Sequence, residues 1–315
     1  RIELKIGDSF IDVRVATLPT LYGECVVMRI LDRTAIKIDL DALGLTPQTL
    51  KKTLNIINKP NGIMLVTGPT GCGKTTTLYA CLNVLNTPEV KIITTEDPVE
   101  LQIERLVQCQ VNESVGLTFA ACLRSILRQD PDIVMVGEIR DLETAQIAVE
   151  ASLTGHFVLS TLHTNSAAET VTRLLDMDVE PFLITASLEA VLAQRLVRVL
   201  CRSCKEKYLP DTDELDELSV PPVWRKDPNF GLYRAKGCAA CDYVGYSGRI
   251  GLYEMLIVDE QVREMILERA MAHDLRRYAR KKQGMLVLRE EGLLKCAQGV
   301  TSPAEVIART DGYDD

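Results

Sequence analysis

The sequence predicts an α/β protein whose core is a three-layer domain, with helices on both faces of a largely parallel sheet. Short and nearly all-apolar runs alternate with amphipathic segments, and a glycine-rich loop joins the first run to the first helix. Strands that are covered on both faces have continuous apolar sequences of this kind. The strands are expected at 63–67, 91–95, 132–137 and 157–162, and the helices at 74–86, 119–128 and 142–152.

Composition limits the classes to which the chain can belong. Its 315 residues are 46% hydrophobic, enough for a sizeable core in one large or two ordinary domains. The net charge of −8 and the 5% aromatic content argue against nucleic-acid binding, which uses clustered cations and stacking. The longest apolar runs fall far short of the roughly 20 residues of a membrane span. The chain starts at Arg1 without a signal-peptide pattern, as expected of an excised fragment.

The regions beside the core have other patterns. Alternating apolar residues around a Gly7-Asp8 turn, then an apolar run at 25–31, predict a hairpin with one buried face and a third strand. Helix N-caps are expected at Thr46, Thr118, Asp141 and Ser302. Five segments are predicted. Residues 1–36 are the end of a small domain, 37–60 are a linker with a helix, and 61–200 are the core. Residues 201–250 are an irregular insertion, and 251–315 are a helical subdomain.

The strongest motif is a Walker A phosphate loop, G-P-T-G-C-G-K-T, between the first core strand and the first core helix. Its glycines let backbone N–H groups surround phosphate oxygens at a helix N-terminus. Lys74 can reach the β- and γ-phosphates of ATP, and the Thr75 hydroxyl can ligate Mg²⁺. The expected nucleotide contacts are Gly68, Pro69, Thr70, Gly71, Cys72, Gly73, Lys74, Thr75 and Thr76.

Hydrolysis also requires carboxylates that hold Mg²⁺ and orient water, and in α/β sheets these lie at strand carboxyl ends. Two segments qualify: the acidic segment 95–100, and the apolar strand that ends in Gly137-Glu138. Ordinary P-loop enzymes have Asp where this chain has Gly137. We therefore expect Glu138 to act on the water, and the acidic segment to help Thr75 hold Mg²⁺. Each segment alone is equally well explained as a helix cap or a solvated strand end.

Two histidines bracket the last core strand, His156 before it and His163 after it. At ~3.3 Å per residue they are on the order of 20 Å apart, and their odd separation places them on opposite faces. One phosphate therefore cannot contact both. His163 is at the carboxyl end and is the expected γ-phosphate sensor. For His156 a direct role, a structural hydrogen bond and a subunit contact all stay open.

Four of the ten cysteines form two C-x-x-C pairs in the irregular insertion, Cys201 with Cys204 and Cys238 with Cys241. Two such turns supply a tetrahedral Cys₄ set, so we predict a structural Zn²⁺ that orders a segment poor in apolar residues. Reduced thiols without metal are the alternative. The segment that neighbours the first cysteine pair is basic, which suits an anionic membrane surface, an acidic partner or simply solvent. Its basic residues are Arg195, Arg198, Arg202, Lys205 and Lys207.

These motifs together resemble the secretion-superfamily ATPases, the motors of type II secretion and type IV pilus extension. The resemblance rests on the Walker A loop, the EDPVE box, the DIVMVGEIRD strand, the GHFVLSTLHT histidine box and the paired C-x-x-C motifs, in order over nearly the whole chain. It implies a RecA-like P-loop NTPase core with a Cys₄ zinc subdomain and a helical C-terminal subdomain. It also implies that a PAS-like α/β domain precedes the core and ends within residues 1–36.

The resemblance assigns roles residue by residue. It implies Glu100 as the acidic-box carboxylate, Glu138 as the catalytic glutamate, and His163 with His156 as the histidine box. Arg14 and Arg29 match the arginines that the preceding domain supplies to the nucleotide. Arg124 and Arg128 share a helix face, where phosphate contact, a subunit contact and solvation stay open. A redox role for Cys72 has no support.

The same resemblance implies a Mg²⁺-dependent ATPase in a homo-hexamer at the cytoplasmic face of the inner membrane. Its expected partners are an inner-membrane platform protein and a partner whose cytoplasmic domain anchors the motor, and peripheral membrane association is an option. A RecA-like nucleic-acid translocase with a zinc ribbon is the alternative, which the charge and aromatic content disfavour. An adaptor that binds nucleotide without hydrolysis is a third reading. Secretion and pilus systems are not distinguished.

Overall fold

The structure, a computed structural model, describes residues 2–6, 9–32, 39–227 and 230–310. The predicted Gly7-Asp8 turn lies outside the described residues. The described chain has a three-stranded, a two-stranded and a seven-stranded sheet. Within these ranges, no helix combines the length and the apolar composition needed to cross a membrane.

The amino-terminal sheet is antiparallel, in the order β1-β2-β3. Its strands are β1 (Ile2–Ile6), β2 (Ser9–Thr20) and β3 (Gly23–Asp32). The predicted hairpin pairing of the first two strands is confirmed. The expected buried face is largely wrong, because Val13 is buried but Leu4 and Val15 are exposed. A sheet this small buries a face only where another layer packs on it.

The seven-stranded sheet has the order β12-β9-β4-β8-β7-β5-β6 and is parallel except for β12. The strands after β3 are β4 (Gly62–Thr67), β5 (Ile92–Glu96), β6 (Val107–Gln110), β7 (Ile133–Val136), β8 (Phe157–Leu162), β9 (Leu188–Leu200), β10 (Glu206–Tyr208), β11 (Leu232–Arg234) and β12 (Tyr246–Ile257). Strands β4, β5, β7 and β8 are the four that the sequence predicts. The short sheet pairs β10 with β11.

Two long strands of this sheet, β9 and β12, are absent from the prediction. Strand β9 follows a helix directly at Leu188, and no glycine or proline marks the change. An apolar run of that kind cannot be assigned from its period alone. Strand β12 crosses residue 250, where the sequence places the end of the irregular insertion.

Helices cover both faces of the large sheet, as predicted. They are α1 (Pro47–Ile57), α2 (Lys74–Leu85), α3 (Phe119–Ile126), α4 (Leu142–Leu153), α5 (Ala167–Asp176), α6 (Pro181–Ser187), α7 (Thr212–Glu217), α8 (Pro222–Arg225), α9 (Glu260–Leu267), α10 (Ala272–Tyr278), α11 (Leu288–Ala297) and α12 (Pro303–Arg309). The side chains of Thr46, Thr118, Asp141 and Ser302 accept N-cap hydrogen bonds, as expected.

The core lies in two apolar layers, one on each face of the sheet. Along β4, Ile63 and Leu65 belong to one layer, and Met64 and Val66 belong to the other. This alternation is the two-residue period of a strand that is buried on both faces. Because β4, β8, β7 and β5 are parallel neighbours, their carboxyl ends lie side by side at one edge of the sheet. The functional side chains meet at that edge.

Candidate functional site

The phosphate loop connects β4 to α2 and depends on two kinds of glycine. Gly71 and Gly73 have φ of +78° and +91°, a backbone region that favours glycine. Gly68 also has a positive φ, +146°, but differs in that a Cβ at that position would lie 2.5 Å from the Gln194 carbonyl oxygen and 2.6 Å from Cys72 Sγ. The loop therefore requires close backbone approach to β9 as well as left-handed turns.

Lys74 is buried at the start of α2 and lies over the loop. Its Nζ donates to the carbonyl oxygens of Gly68 at 2.8 Å and Pro69 at 3.3 Å, and lies 3.5 Å from His163 Nδ1. Burial lowers the pKa of Lys74, although the nearby Glu138 carboxylate opposes that shift. An anion at this point compensates the desolvated ammonium, which is what a phosphate site requires. Thr75 beside it is exposed, with a hydroxyl accessible to Mg²⁺.

Gln194 and Arg195 on β9 fix two loops at this edge, and the sequence prediction missed both roles. Gln194 is buried; its Nε2 donates to the Cys72 carbonyl oxygen at 2.6 Å, and its Oε1 accepts from Thr77 Oγ1 at 2.8 Å. One amide therefore fixes the loop backbone to helix α2. A polar pair inside the apolar run of β9 was the available signal.

Arg195 connects the same strand to the loop after the histidine box. Its Nη2 donates to Asn165 O at 3.0 Å and to Asn165 Oδ1 at 3.2 Å. Burial raises the pKa of the Cys72 thiol, although the cations Lys74 and Arg195 oppose the shift. Cys72 is thus a neutral thiol packed beneath the loop, which gives it no reactivity as a thiolate.

His163 joins the phosphate loop to the predicted catalytic carboxylate. Besides its contact with Lys74, its Nε2 lies 3.4 Å from Glu138 Oε2. The other Glu138 oxygen pairs with Arg140, which is also 3.8 Å from Asp97 Oδ2. Residues from the ends of β4, β8, β7 and β5 thus form one chain of contacts, from Lys74 through His163, Glu138 and Arg140 to Asp97. Arg140 and Asp97 were not predicted individually as site residues, although Asp97 lies in the predicted acidic segment and Arg140 lies in the DIVMVGEIRD motif.

The acidic segment divides into a buried anchor and more accessible residues. Glu96 is buried and accepts hydrogen bonds from Tyr79 Oη, from Thr94 Oγ1 at 2.5 Å and from Gln108 Nε2 at 3.0 Å. Burial and the adjacent Glu96 raise the pKa of Tyr79. Through these hydrogen bonds Glu96 holds the carboxyl end of β5 in place. Glu100 is half-buried, and its backbone N–H donates to Tyr79 Oη at 3.3 Å.

Gly137, where ordinary P-loop enzymes have Asp, packs closely against β5. A Cβ there would lie 3.2 Å from the Thr95 carbonyl oxygen and 3.4 Å from Glu96 Cα. The position has little room for a carboxylate side chain. The carboxylate available at the end of β7 is therefore that of the following residue, Glu138.

The other predicted residues lie apart from this group or lack a described side chain. His156 Nδ1 donates to the Ala151 carbonyl oxygen at 2.8 Å, so it caps the end of α4. Arg14 and Arg29 are paired in the register of β2 and β3, and the Arg29 side chain is exposed. The Arg14 side chain lies outside the described residues. Arg124 forms a surface ion pair with Glu143.

Arg128 is exposed and is not one of the residues that contact the phosphate loop. Arg195 corrects the expectation of an exposed basic surface beside the cysteines, because it is buried. Its guanidinium group is therefore not available to a membrane or a partner surface. Arg198 is exposed, as expected; it pairs with Glu305 at 2.7 Å and stacks on Tyr246 at 4.0 Å.

The two C-x-x-C turns converge, as their spacing predicts. The Sγ atoms of Cys201, Cys204, Cys238 and Cys241 all lie within 4.8 Å of one another, and their closest pairs are 3.8–3.9 Å apart. A tetrahedron with Zn–S bonds of about 2.3 Å has edges of about 3.8 Å. The donor set and its dimensions therefore fit a tetrahedral metal ion.

Backbone N–H groups also support this cysteine cluster. The Cys238 and Gly245 amides donate to Cys241 Sγ at 3.3 and 3.2 Å. The first of these bonds is the main reason that the pKa of Cys241 is lowered to about 7. Hydrogen bonds that favour a thiolate prepare it as a metal ligand.

With the phosphate loop, the carboxylate and the cysteine cluster in place, comparison with known proteins is decisive. A family model described as "Type II/IV secretion system protein" matches residues 1–308. The chain belongs to that family. This confirms the resemblance drawn from the motifs.

Relatives of this secretion-family chain include ATPases from two systems. It is 52% identical to the type II secretion system ATPase E of Vibrio cholerae over 310 residues, covering 98% of this chain and 60% of the relative. It is 47% identical to the type IV pilus assembly ATPase PilB of Thermus thermophilus over 310 residues, covering 98% of this chain and 34% of the relative. The chain thus spans less than two thirds of either relative.

Solved structures agree with the fold of this family member. The pilus retraction motor PilT with bound ADP superposes with a TM-score of 0.66 at 26% identity, covering 98% of this chain and 76% of the other. The Legionella pneumophila ATPase DotB gives 0.68 at 24% identity, covering 97% and 74%. The predicted α/β ATPase fold is therefore confirmed.

We predict that Gln194→Leu in this family member lowers the free energy of unfolding by about 2 kcal/mol, because it leaves the buried Cys72 carbonyl and Thr77 hydroxyl without their partner. It should also weaken binding of a fluorescent ATP analogue by about tenfold, because the loop is no longer held in place. Denaturant unfolding and fluorescence titration measure the two effects. The exposed Gln261→Leu is the matched control and should change stability by less than about 0.5 kcal/mol. Equal behaviour of the two variants would contradict the role of Gln194.

Proposed function

We propose that this chain is the ATP-hydrolysing part of a hexameric motor that powers assembly of pilin-like filaments, in type II secretion or type IV pilus extension. The observation that carries the proposal is the position of His163, within 3.5 Å of both Lys74 Nζ and Glu138 Oε2. A phosphate-binding cation and a candidate base are thereby linked through one imidazole. That arrangement suits a group that responds to the γ-phosphate.

The residues divide the work of hydrolysis. Backbone N–H groups of the loop and Lys74 bind the β- and γ-phosphates, and Glu138 accepts a proton from the attacking water. Mg²⁺, when bound with ATP, neutralises phosphate charge, and Thr75 with the acidic segment, including Glu100, would hold it. Arg140 keeps the Glu138 carboxylate oriented through their ion pair. His163 then senses whether the γ-phosphate is present.

Arg14 and Arg29 complete the site in this proposal. Their Cα positions are partners in register on two antiparallel strands, and Arg29 is exposed. A guanidinium group can fork across phosphate oxygens, so we propose that both arginines contact the nucleotide when the amino-terminal sheet closes on it. Closure and reopening during turnover convert hydrolysis into movement.

The assembly and its partners rest on the family. Relatives carry names such as type II secretion system ATPase E and pilus assembly ATPase, which supports work on a filament system. We propose a homo-hexamer that acts on an inner-membrane platform protein and is anchored by the cytoplasmic domain of another partner. The proposed location of this motor is the cytoplasmic face of the inner membrane, where ATP is available. The match to both systems leaves the cargo open.

We further propose that the cysteine cluster holds one structural Zn²⁺. Four thiolates fill a tetrahedral set, so no position is left for a reactive water. The ion would join the β9 end, through Cys201 and Cys204, to the start of β12, through Cys238 and Cys241. It thus fixes the insertion to two strands of the core sheet.

We predict that Glu138→Gln keeps ATP affinity within about twofold and lowers the hydrolysis rate by about 10²–10⁴-fold, because the amide cannot take the proton of the attacking water. Phosphate release and ATP-analogue titration measure the two quantities. Glu150→Gln, an exposed substitution on α4, is the matched control and should change neither. Unchanged turnover in Glu138→Gln would remove Glu138 from the mechanism. Stimulation of wild-type turnover by single-stranded DNA would favour the translocase alternative.

We predict about one zinc ion per chain in protein purified without chelator, and loss of that ion in Cys204→Ser, because a three-thiolate site is incomplete. Elemental analysis measures the content, and thermal unfolding should show a lower midpoint for the variant. Cys25→Ser, at an exposed thiol, is the control and should retain the metal. Metal-free wild-type protein would exclude the zinc proposal.

A further inference from the structure

A basic cleft of about 630 Å³ lies in the C-terminal helical subdomain, and its lining residues do not include those of the phosphate loop. Five side chains that are cationic or can become so line it, together with the carboxylate Glu290. Two neighbouring carboxylates also pair with them: Glu169 lies 3.6 Å from Arg276, and Asp274 lies 3.3 Å from His273 and 3.5 Å from Arg277. These five, which define the basic cleft, are His273, Arg276, Arg277, Arg280 and Lys281. In a chain with a net charge of −8, such a concentration inside a concavity requires an explanation.

The cleft is formed by an unusual turn of the backbone. Helix α10 widens into a π-helical turn, Ala279–Gln283, which ends at Gly284 with φ of +62°. Single π-turns cost stability relative to α-helix and occur frequently at functional sites. Here the wide turn contains two of the residues that line the cleft, Arg280 and Lys281.

The arginines of the cleft are oriented by partners. Arg280 Nη2 donates to Glu290 Oε1 at 2.9 Å, and Arg276 Nη2 donates to Ser166 Oγ at 3.2 Å. Arg276 Nε, however, is buried and makes no hydrogen bond to any residue that the structure describes. A buried guanidinium N–H without an acceptor is unfavourable, so this side chain is held at a cost in stability.

An apolar recess continues from the cleft. It measures about 300 Å³, shares Arg280, Leu286 and Glu290 with the cleft, and contains Trp224 and Leu293. Trp224 is the single tryptophan of the chain. A ligand that fills both spaces has an anionic part for the guanidinium groups and a flat apolar part for the indole.

We propose that the basic cleft is a second ligand site, for a small phosphate-bearing molecule with a planar apolar body, of the nucleoside diphosphate class. Three of the five lining groups are arginines, whose planar forks match phosphate oxygens better than an ammonium does. The cleft is a half-open concavity and not a flat surface, which suits a small molecule. The combined volume is within the range of small-molecule sites.

Trp224 fluorescence tests the proposal, because the only indole of the chain lines the recess. The titrations use inorganic phosphate, pyrophosphate and ADP, with the chain in a Lys74→Ala background that weakens binding at the phosphate loop. The expected result is a saturable change, with ADP binding more tightly than pyrophosphate because only ADP reaches the recess. In Arg277→Ala/Lys281→Ala the midpoint should rise about tenfold or more, because two charge-assisted contacts are lost.

Lys282→Ala is the matched control, since it removes the same charge from the same turn without lining the cleft. Its midpoint should stay within about twofold of that of the Lys74→Ala parent. The proposal is overturned if Trp224 fluorescence does not change at about 10 mM ADP, because that concentration would saturate a site even with a Kd of about 1 mM. It is also overturned by a response that the double variant leaves unchanged. A response only to anionic phospholipid vesicles or to polyglutamate would overturn it in favour of a membrane or an acidic protein segment.

Discussion

The site depends on one constraint, the parallel order of four neighbouring strands. Because β4, β8, β7 and β5 run in the same direction, the loop that carries Lys74 and the ends that carry His163, Glu138 and Asp97 must lie along one edge. Side chains far apart in sequence are thereby brought within 4 Å of one another. Helix and loop details adjust this arrangement, but the strand order creates it.

Buried polar groups make that edge rigid. Gln194 ties the phosphate loop to α2, Arg195 ties β9 to the loop after the histidine box, and Glu96 closes the end of β5 on Tyr79. Each is buried and each has its partners, so moving any of them leaves a desolvated group unpaired. Rigidity of this kind is the condition for electrostatic preorganisation around a transferring phosphoryl group. The same β9 leads directly to the cysteine cluster, which joins the insertion to the core.

The sequence predicted what is encoded locally. The Walker A loop, four central strands, the helix caps and the two C-x-x-C turns each occupy a few consecutive residues whose types determine the backbone. Strand β9 was missed because nothing marks the change from α6 to β9. Strand β12 was missed because it crosses the predicted end of the irregular insertion. Gln194 was missed because its partner is 122 residues away, and Arg195 was assigned to a surface because local composition does not reveal burial. The π-turn behind the basic cleft has no local signal at all.

In the proposed mechanism Lys74 binds the phosphates of ATP, Thr75 ligates Mg²⁺, Glu138 faces the attacking water and His163 senses the γ-phosphate. A structure of the chain with a non-hydrolysable ATP analogue and Mg²⁺ tests it most directly. The account predicts that Lys74 Nζ leaves the carbonyl oxygens of the loop for phosphate oxygens, that Thr75 Oγ1 ligates Mg²⁺, and that Glu138 and His163 face the γ-phosphate. An analogue bound with its γ-phosphate beyond hydrogen-bond reach of Lys74, or with Glu138 turned away, would contradict this mechanism.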